Sequence, residues 1–408
     1  MRSRNRAPLI GIPRFLGVIS LLLPSASAWG QTVVATVPVG INPVAIALNP
    51  VTNKIYVANC VPSGANAING TVTVIDGYTN ATATVPVGIC PSAVAVNPAT
   101  NKIYVANFGH MSFSRGLNYG SLTVIDGGTD TPVNVTDSKA KFPRAVALNP
   151  ITNKIYVANW ESSNVTVIDG WTNAITTVPT VVWPYDLAVN PVTNKIYVTS
   201  FGPYPTTSMA VIDGTTGHST TVTDQSAVNP TAVAVNHVTN KIYVANLDNC
   251  GDGPCSNVGS VTVIDGGTDS TTHIVDPNAF GPHALAVDPV SNKIYVANSN
   301  TITKSGDGGV TVINGSTNSF VHVTDPHANT MACPSTTASV AADPATGKIY
   351  VANSCSNNVT VIDEATNSTT TVGNANATSP TAIAVNPATH RVYVVNSGSN
   401  NVTVIDGE

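Results

Sequence analysis

A run close to Asn-Lys-Ile-Tyr-Val-Ala-Asn recurs eight times in 408 residues, centred on Tyr56, Tyr104, Tyr156, Tyr197, Tyr243, Tyr295, Tyr350 and Tyr393. A Val-Thr-Val-Ile-Asp run or a near variant follows each copy, and the copies lie 41 to 55 residues apart. A chain that repeats at this period builds small units that cannot bury a core alone, so they must stack as a solenoid or close as a ring.

One unit reads as four strands. Pro43-Val44-Ala45-Ile46-Ala47-Leu48 alternates small and branched residues, as suits a strand at the crowded axis of a ring. Asn49-Pro50-Val51-Thr52-Asn53 is a turn, in which Pro presets φ while Asn caps its own backbone or accepts a left-handed conformation. Lys54 to Asn59 is a β-branched and aromatic strand, and after a loop of variable length Thr71 to Ile75 is the third. Asp76-Gly77-Tyr78-Thr79-Asn80 turns the chain into a fourth strand, Thr82 to Val87, whose Pro86 fits only an edge. Gly or Asn-Pro breaks the pattern about every ten residues, and the alternation has a period of two, so helices are excluded.

Four antiparallel strands in about 45 residues make a propeller blade. The eighth unit stops at Val404-Ile405-Asp406, one strand short, while residues 32–39 offer a lone strand resembling Thr82 to Val87. Pairing the two closes the ring and removes both open edges. The expectation is an all-β, single closed β-propeller of eight four-stranded blades over residues 29–408. Its blades begin near residues 41, 89, 141, 182, 228, 280, 333 and 378.

At these residues the chain resembles the YVTN-type β-propeller repeat family, through Ile-Tyr-Val-Ala/Thr-Asn followed by Val-Ile-Asp over nearly all of residues 29–408. The resemblance implies an exported or cell-surface protein and a fold usually described as seven-bladed. Eight copies of the motif argue for eight blades here. The shared residues are scaffold, so the resemblance says little about activity.

Arg2, Arg4, Arg6 and Arg14 precede an apolar run from Phe15 to Leu23 and a small-residue stretch, Ser25 to Ala28. This is the pattern of a secretory signal over residues 1–28, with cleavage expected after Ala28. The destination is then secreted, periplasmic or cell-surface. No apolar run is long enough to span a bilayer. Without the signal, 13 basic residues remain against 22 acidic ones, a net charge of −9. An acidic chain does not suit a phosphate backbone, so nucleic acid is not an expected partner. A monomer is expected. Eight of the 13 basic residues occupy the repeat position (Lys54, Lys102, Lys154, Lys195, Lys241, Lys293, Lys348 and Arg391), which reads as structural.

Strand order puts the first-strand entries and the loops between second and third strands on one face, and the Asn-Pro and Asp-Gly turns on the other. Length variation falls in those loops, as in residues 60–70, 108–120, 247–259 and 299–309, and such gathering marks a binding face. All six cysteines map there. An even number in an exported chain reads as disulfides, with Cys60–Cys90, Cys250–Cys255 and Cys333–Cys355 the three pairings favoured by placement.

Entry residues vary while the frame does not: Val44, Ser92, Arg144, Tyr185, Thr231, His283, Ala338 and Thr381. Around them fall Phe108, His110, Trp160, Glu161, Trp183, Phe201 and Asp248, and four cations outside the repeat position, Arg115, Lys139, Lys141 and Arg144. The candidate ligand site is a partly basic, aromatic-lined channel mouth using Arg144, Trp183, Tyr185, Trp160, Arg115, His110 and His283. Aromatic faces suit sugars and a fixed guanidinium suits carboxylates. The partner would be a glycan, a small anionic ligand or a protein.

Catalytic motifs are not evident. No nucleophile elbow, phosphate loop, haem attachment or paired-histidine motif is present, and no metal or catalytic residue is assigned. Asp248, Asp252 and Asp307 lie near loop glycines and offer at most a weak Ca²⁺ site, without an EF-hand loop. Repeated Asp76, Asp126, Asp169, Asp213, Asp265, Asp363 and Asp406 read as turn caps, with Asn314 in the same role. The reading is a non-enzymatic binding or scaffold propeller. The alternative is a lactonase- or lyase-like enzyme at the channel mouth, with His283, His110 and Glu161 as candidates.

Overall fold

The alternating runs fold as strands because β-branched and aromatic side chains pack well on a pleated, buried surface. The computed structural model describes residues 31–61, 69–110, 119–202, 206–247, 258–298, 309–324 and 339–408. Its strands form eight four-stranded antiparallel sheets, and no helix occurs among the described residues. In the first, Pro43–Asn49, Lys54–Asn59, Asn69–Asp76 and Thr82–Ile89 lie side by side in chain order. The eighth sheet has Pro380–Val385, Arg391–Asn396 and Asn401–Asp406, and its outer strand is Thr32–Pro38. Thr36 lies opposite Thr403 and Val37 opposite Val402, so the two ends of the chain close one ring. The molecule is an eight-bladed β-propeller, one blade more than the resemblance implies.

The core lies between blades. All eight repeat tyrosines are fully buried. Tyr56 of blade one packs with Ile103, Val105 and Ile125 of blade two, and Tyr393 of blade eight packs with Ile55, Val57 and Ile75 of blade one. Each such buried Ile or Val contributes about 1.5–3 kcal/mol through removal from water. Burial also pushes the Tyr104 hydroxyl up to about 12, so it stays neutral.

The face carrying the turns is bound by polar links that repeat with the sequence. Asn49 Oδ1 accepts from Val51 N at 3.0 Å, capping its own turn, while its Nδ2 donates to Asn101 Oδ1 of the next blade at 2.8 Å. The same link joins Asn97 to Asn153, Asn149 to Asn194, Asn190 to Asn240 and Asn236 to Asn292. Asn386 to Asn53 carries it across the closure. Each acceptor Asn holds positive φ, such as Asn53 at 53°. Where His390 stands in place of that Asn, its Nδ1 meets Asp343 Oδ2 at 2.9 Å.

Lysines of the repeat form a second belt. Lys102 Nζ donates to Gly170 O at 2.7 Å, Lys154 to Gly214 O at 3.0 Å, and Arg391 to Gly77 O at 2.8 Å across the closure. The Asp-Gly turn carries glycine because a Cβ at Gly170 would lie 2.3 Å from Asn153 Oδ1. Blade seven trades the small residue: Gly347 takes the positive-φ position at 63°, and Glu364 takes the turn. The repeated acids cap turns as the sequence implies, with Asp76 Oδ1 accepting from Tyr78 N and Thr79 N. Asn314 Oδ1 does the same for Ser316 N and Thr317 N.

Candidate functional site

At the mouth, the repeat loosens for a local reason. In blades one, two, three, five, six and eight, the first strand's register slips between its leading Pro and the residue two positions on. The residue between is a bulge, freed from the ladder and re-aimed, as bulges beside sites often are. Those bulged residues are the variable entry positions: Val44, Ser92, Arg144, Thr231, His283 and Thr381. Blade four slips further, between Pro184 and Leu187, which frees both Tyr185 and Asp186.

These side chains meet at an open cavity of about 570 Å³ lined from blades one to six. Val44, Ser92, Arg144, Tyr185, Thr231 and His283 line it, together with Phe108, Asp186 and the Cys60–Cys90 pair. Ser92 and Thr231 spend their hydroxyls on backbone: Ser92 Oγ donates to Ala106 O and Pro143 O, and Thr231 Oγ1 to Ala245 O. The chemically distinctive lining groups are therefore Arg144, Tyr185, Asp186, His283 and Phe108.

Arg144 lies flat on Tyr185, its guanidinium carbon 3.8 Å from the ring centroid, and the Phe201 ring meets Tyr185 edge-on at 4.9 Å. A stacked guanidinium keeps its edge donors available in a fixed plane. Behind the wall, Phe108 contacts Phe142 at 5.1 Å and Trp160 at 6.4 Å, and Tyr119 meets Phe142 edge-on at 5.7 Å. Lys141 sits over Tyr119 at 4.7 Å. An aromatic arc thus runs from blade two to blade four.

The predicted residues separate into lining and support. Arg144, Tyr185 and His283 line the cavity; Trp160, Trp183 and His110 do not. Trp160 Nε1 donates to Phe201 O at 2.9 Å, which ties blade three to blade four. Trp183 holds a positive φ of 49° just before the strand, and a Cβ on Gly202 would stand 2.2 Å from its ring. His110 is partly buried beyond Phe108. Glu161 is exposed on the rim, so His283 alone of the three acid–base candidates reaches the cavity. Arg115, Asp248, Asp252 and Asp307 lie outside the described residues. Among the described residues no group of three or more His, Cys, Asp or Glu side chains converges.

Cys60 and Cys90 form the expected disulfide, which joins blade one's second strand to blade two's entry. Cys355 is also disulfide-bonded. The pairings through Cys250, Cys255 and Cys333 lie outside the described residues.

Asp186 is the site residue that the sequence reading passed over. At its position the other blades carry Ala45, Ala93, Ala145, Ala232, Ala284, Ser339 and Ala382. Reading that column by itself would have singled out the acid. Its Oδ1 accepts from Leu187 N at 2.8 Å and its Oδ2 from Val233 N of blade five at 3.1 Å. Asp186 is partly enclosed at the cavity wall. Burial therefore pushes its carboxyl up to about 6, against the two amides and Arg144, which favour the charged form. His283 is enclosed in the same way, and burial lowers it from its ordinary value; its Nδ1 donates to Gly281 O at 2.8 Å.

Fold and site together define an eight-bladed β-propeller with a ligand-sized cavity at one mouth of its channel. No family model matches the chain, and no curated protein matches it. Among solved structures it is similar to Kuenenia stuttgartiensis hydrazine synthase, with a TM-score of 0.58 at 16% identity, covering 90% of this chain and 95% of that one. A likeness at that identity extends to the fold alone. Among the described residues no helix is long and apolar enough to cross a membrane.

Proposed function

We propose that this chain is an exported, non-enzymatic binding propeller that takes a ligand bearing an anionic group at the channel mouth. One observation carries the reading: the Arg144 guanidinium, held on Tyr185 in a cavity of about 570 Å³, has no ion-pair partner among the described residues. A preoriented guanidinium in a partly dehydrated concave site binds carboxylate through charge-assisted, paired hydrogen bonds. The Phe108 and Tyr185 rings would receive the apolar part of a small acid, a glycan or a protein side chain. A Cys60–Cys90 bridge supports an oxidising compartment, so secretion, the periplasm or the cell surface belongs to the proposal. Membership of the YVTN-type repeat family belongs to it too, supported by seven Ile-Tyr-Val runs and the Val392-Tyr393-Val394 run of the last blade.

The test is titration calorimetry against a panel of amino acids, organic acids, acidic sugars and neutral sugars. A carboxylate-bearing member should bind, and Arg144→Ala should weaken it by about thirtyfold or more. A protein that binds no anionic member, or binds one equally well after Arg144→Ala, would remove the reading.

One observation favours the enzyme reading as a second. Asp186, pushed up to about 6, shares the cavity with His283, which burial keeps neutral. Groups shifted towards neutrality in one cavity are the acid–base pattern of active sites. Turnover of a lactone panel that Asp186→Asn abolishes would support it, and no turnover by the native protein would end it.

A further inference from the structure

Asp186 does two jobs that separate cleanly. One is structural: its carboxylate caps Leu187 N and Val233 N, securing blade four's wide bulge against blade five. One half of that job, the cap across the blade boundary, is done elsewhere without a charge. In blade seven the equivalent residue is Ser339, whose hydroxyl accepts from Ile383 N of blade eight at 3.3 Å. Six other blades use alanine there. The charge is thus an addition at one point of the ring, and it stands at the cavity wall next to Tyr185.

Arg144 on the adjoining blade lines the same cavity, and the two charges form no salt bridge with each other. A cation and a carboxylate left apart in a shared, partly dehydrated cavity make a bipolar site. A ligand carrying only an anion would satisfy Arg144 and leave a negative group facing Asp186. A ligand carrying only a cation would do the reverse. Leaving either charge uncompensated in such a site is costly. A zwitterion pairs all four charges.

We propose that the channel mouth recognises a small zwitterion, an amino acid or similar amino-carboxylate, with its carboxylate on Arg144 and its ammonium on Asp186. The Phe108 and Tyr185 rings face the remainder of the ligand, and aromatic faces accept both apolar side chains and the flank of an ammonium group. With about 570 Å³ to fill, the cavity has room for large side chains. This inference rests on the channel mouth being a ligand site for an anionic group.

The test uses the full chain, its disulfides intact, and three probe sets by titration calorimetry. These are the twenty standard amino acids, the matching carboxylic acids without the amino group, and the matching amines without the carboxyl. An amino acid should bind, and its two singly charged analogues should bind about thirtyfold or more weakly. Asp186→Asn, which keeps one of the two cap oxygens and loses the other acceptor, should weaken the amino acid similarly and leave the acid analogue unchanged or tighter. Arg144→Ala should weaken both. Circular dichroism and melting of each variant report whether the ring is intact. If the acid analogue binds as well as the amino acid and Asp186→Asn is silent, the zwitterion is overturned while the anion site stands. If no amino acid binds but another acid does, the result is the same. If no anion of any kind binds, both readings fall.

Discussion

The two faces of this ring treat the same repeat in opposite ways. On the turn face, Asn97, Asn149 and Lys102 make nearly the same bond to the next blade as their counterparts elsewhere. On the mouth face, the bulged position holds Val44, Ser92, Arg144, Thr231, His283 and Thr381, with no two neighbours alike. The difference teaches where each residue's bonds go. A turn residue bonded across a blade boundary is constrained by both blades, whereas a bulged residue is released from its ladder, and only Ser92 and Thr231 among the bulged residues reach the backbone of the next blade. Mouth stability must then come from special devices, namely the Cys60–Cys90 bridge, the Asp186 cap and the aromatic arc.

The largest effect should come from removing such a device. Replacing both Cys60 and Cys90 by Ser frees a loop of 30 residues, and should cost about 3 kcal/mol in denaturant unfolding. A negligible loss would mean that the mouth is held by the repeat after all. Next, Asn97→Ala removes the cap on Ala99 N and the buried donor to Asn153, and should cost about 1–3 kcal/mol. Alanine at the half-buried entry residue Arg144 should cost far less.

Asp186 sharpens the contrast through pH. Its folded pKa, about 6, lies above the ordinary 3.8, so the fold favours the protonated form. The stability it holds is full below the ordinary value and is lost as pH rises through about 6. Asp186→Asn should therefore gain on the native protein across that window, by on the order of 1–2 kcal/mol, and then stay level. Melting curves at stepped pH would read this, and a difference independent of pH would contradict the burial of the carboxyl. Smallest of all, Arg144→Ala should move stability by no more than about 0.5 kcal/mol while weakening ligand binding about thirtyfold or more. A large destabilisation would make Arg144 part of the frame.

Much of the frame was legible because each repeat restates it. Period, strand order, the unpaired last blade and the capping acids all follow from local pattern and from the need to close an open edge. Tyr185, Arg144 and His283 were legible as variable entries. Asp186 was not, since the entry column drew attention to the residue before it. Trp160 and Trp183 read as ligand contacts, yet their rings brace loops, and no sequence pattern distinguishes a ring that faces a channel from one that faces a neighbour. His110 and Glu161 likewise lie outside the cavity lining, because variable face does not mean cavity wall.

By itself the sequence determined the blade, the number of blades and the way the ring closes, because these depend on alternation and turn chemistry within about 45 residues. Only the tertiary structure decided that Asn97 bonds to Asn153 and Lys102 to Gly170 O, since those partners lie 56 and 68 residues apart. It also decided that Arg144, Asp186 and His283 share one cavity. Three blades bring them together, and the register slips that aim them inward appear only when strands are paired.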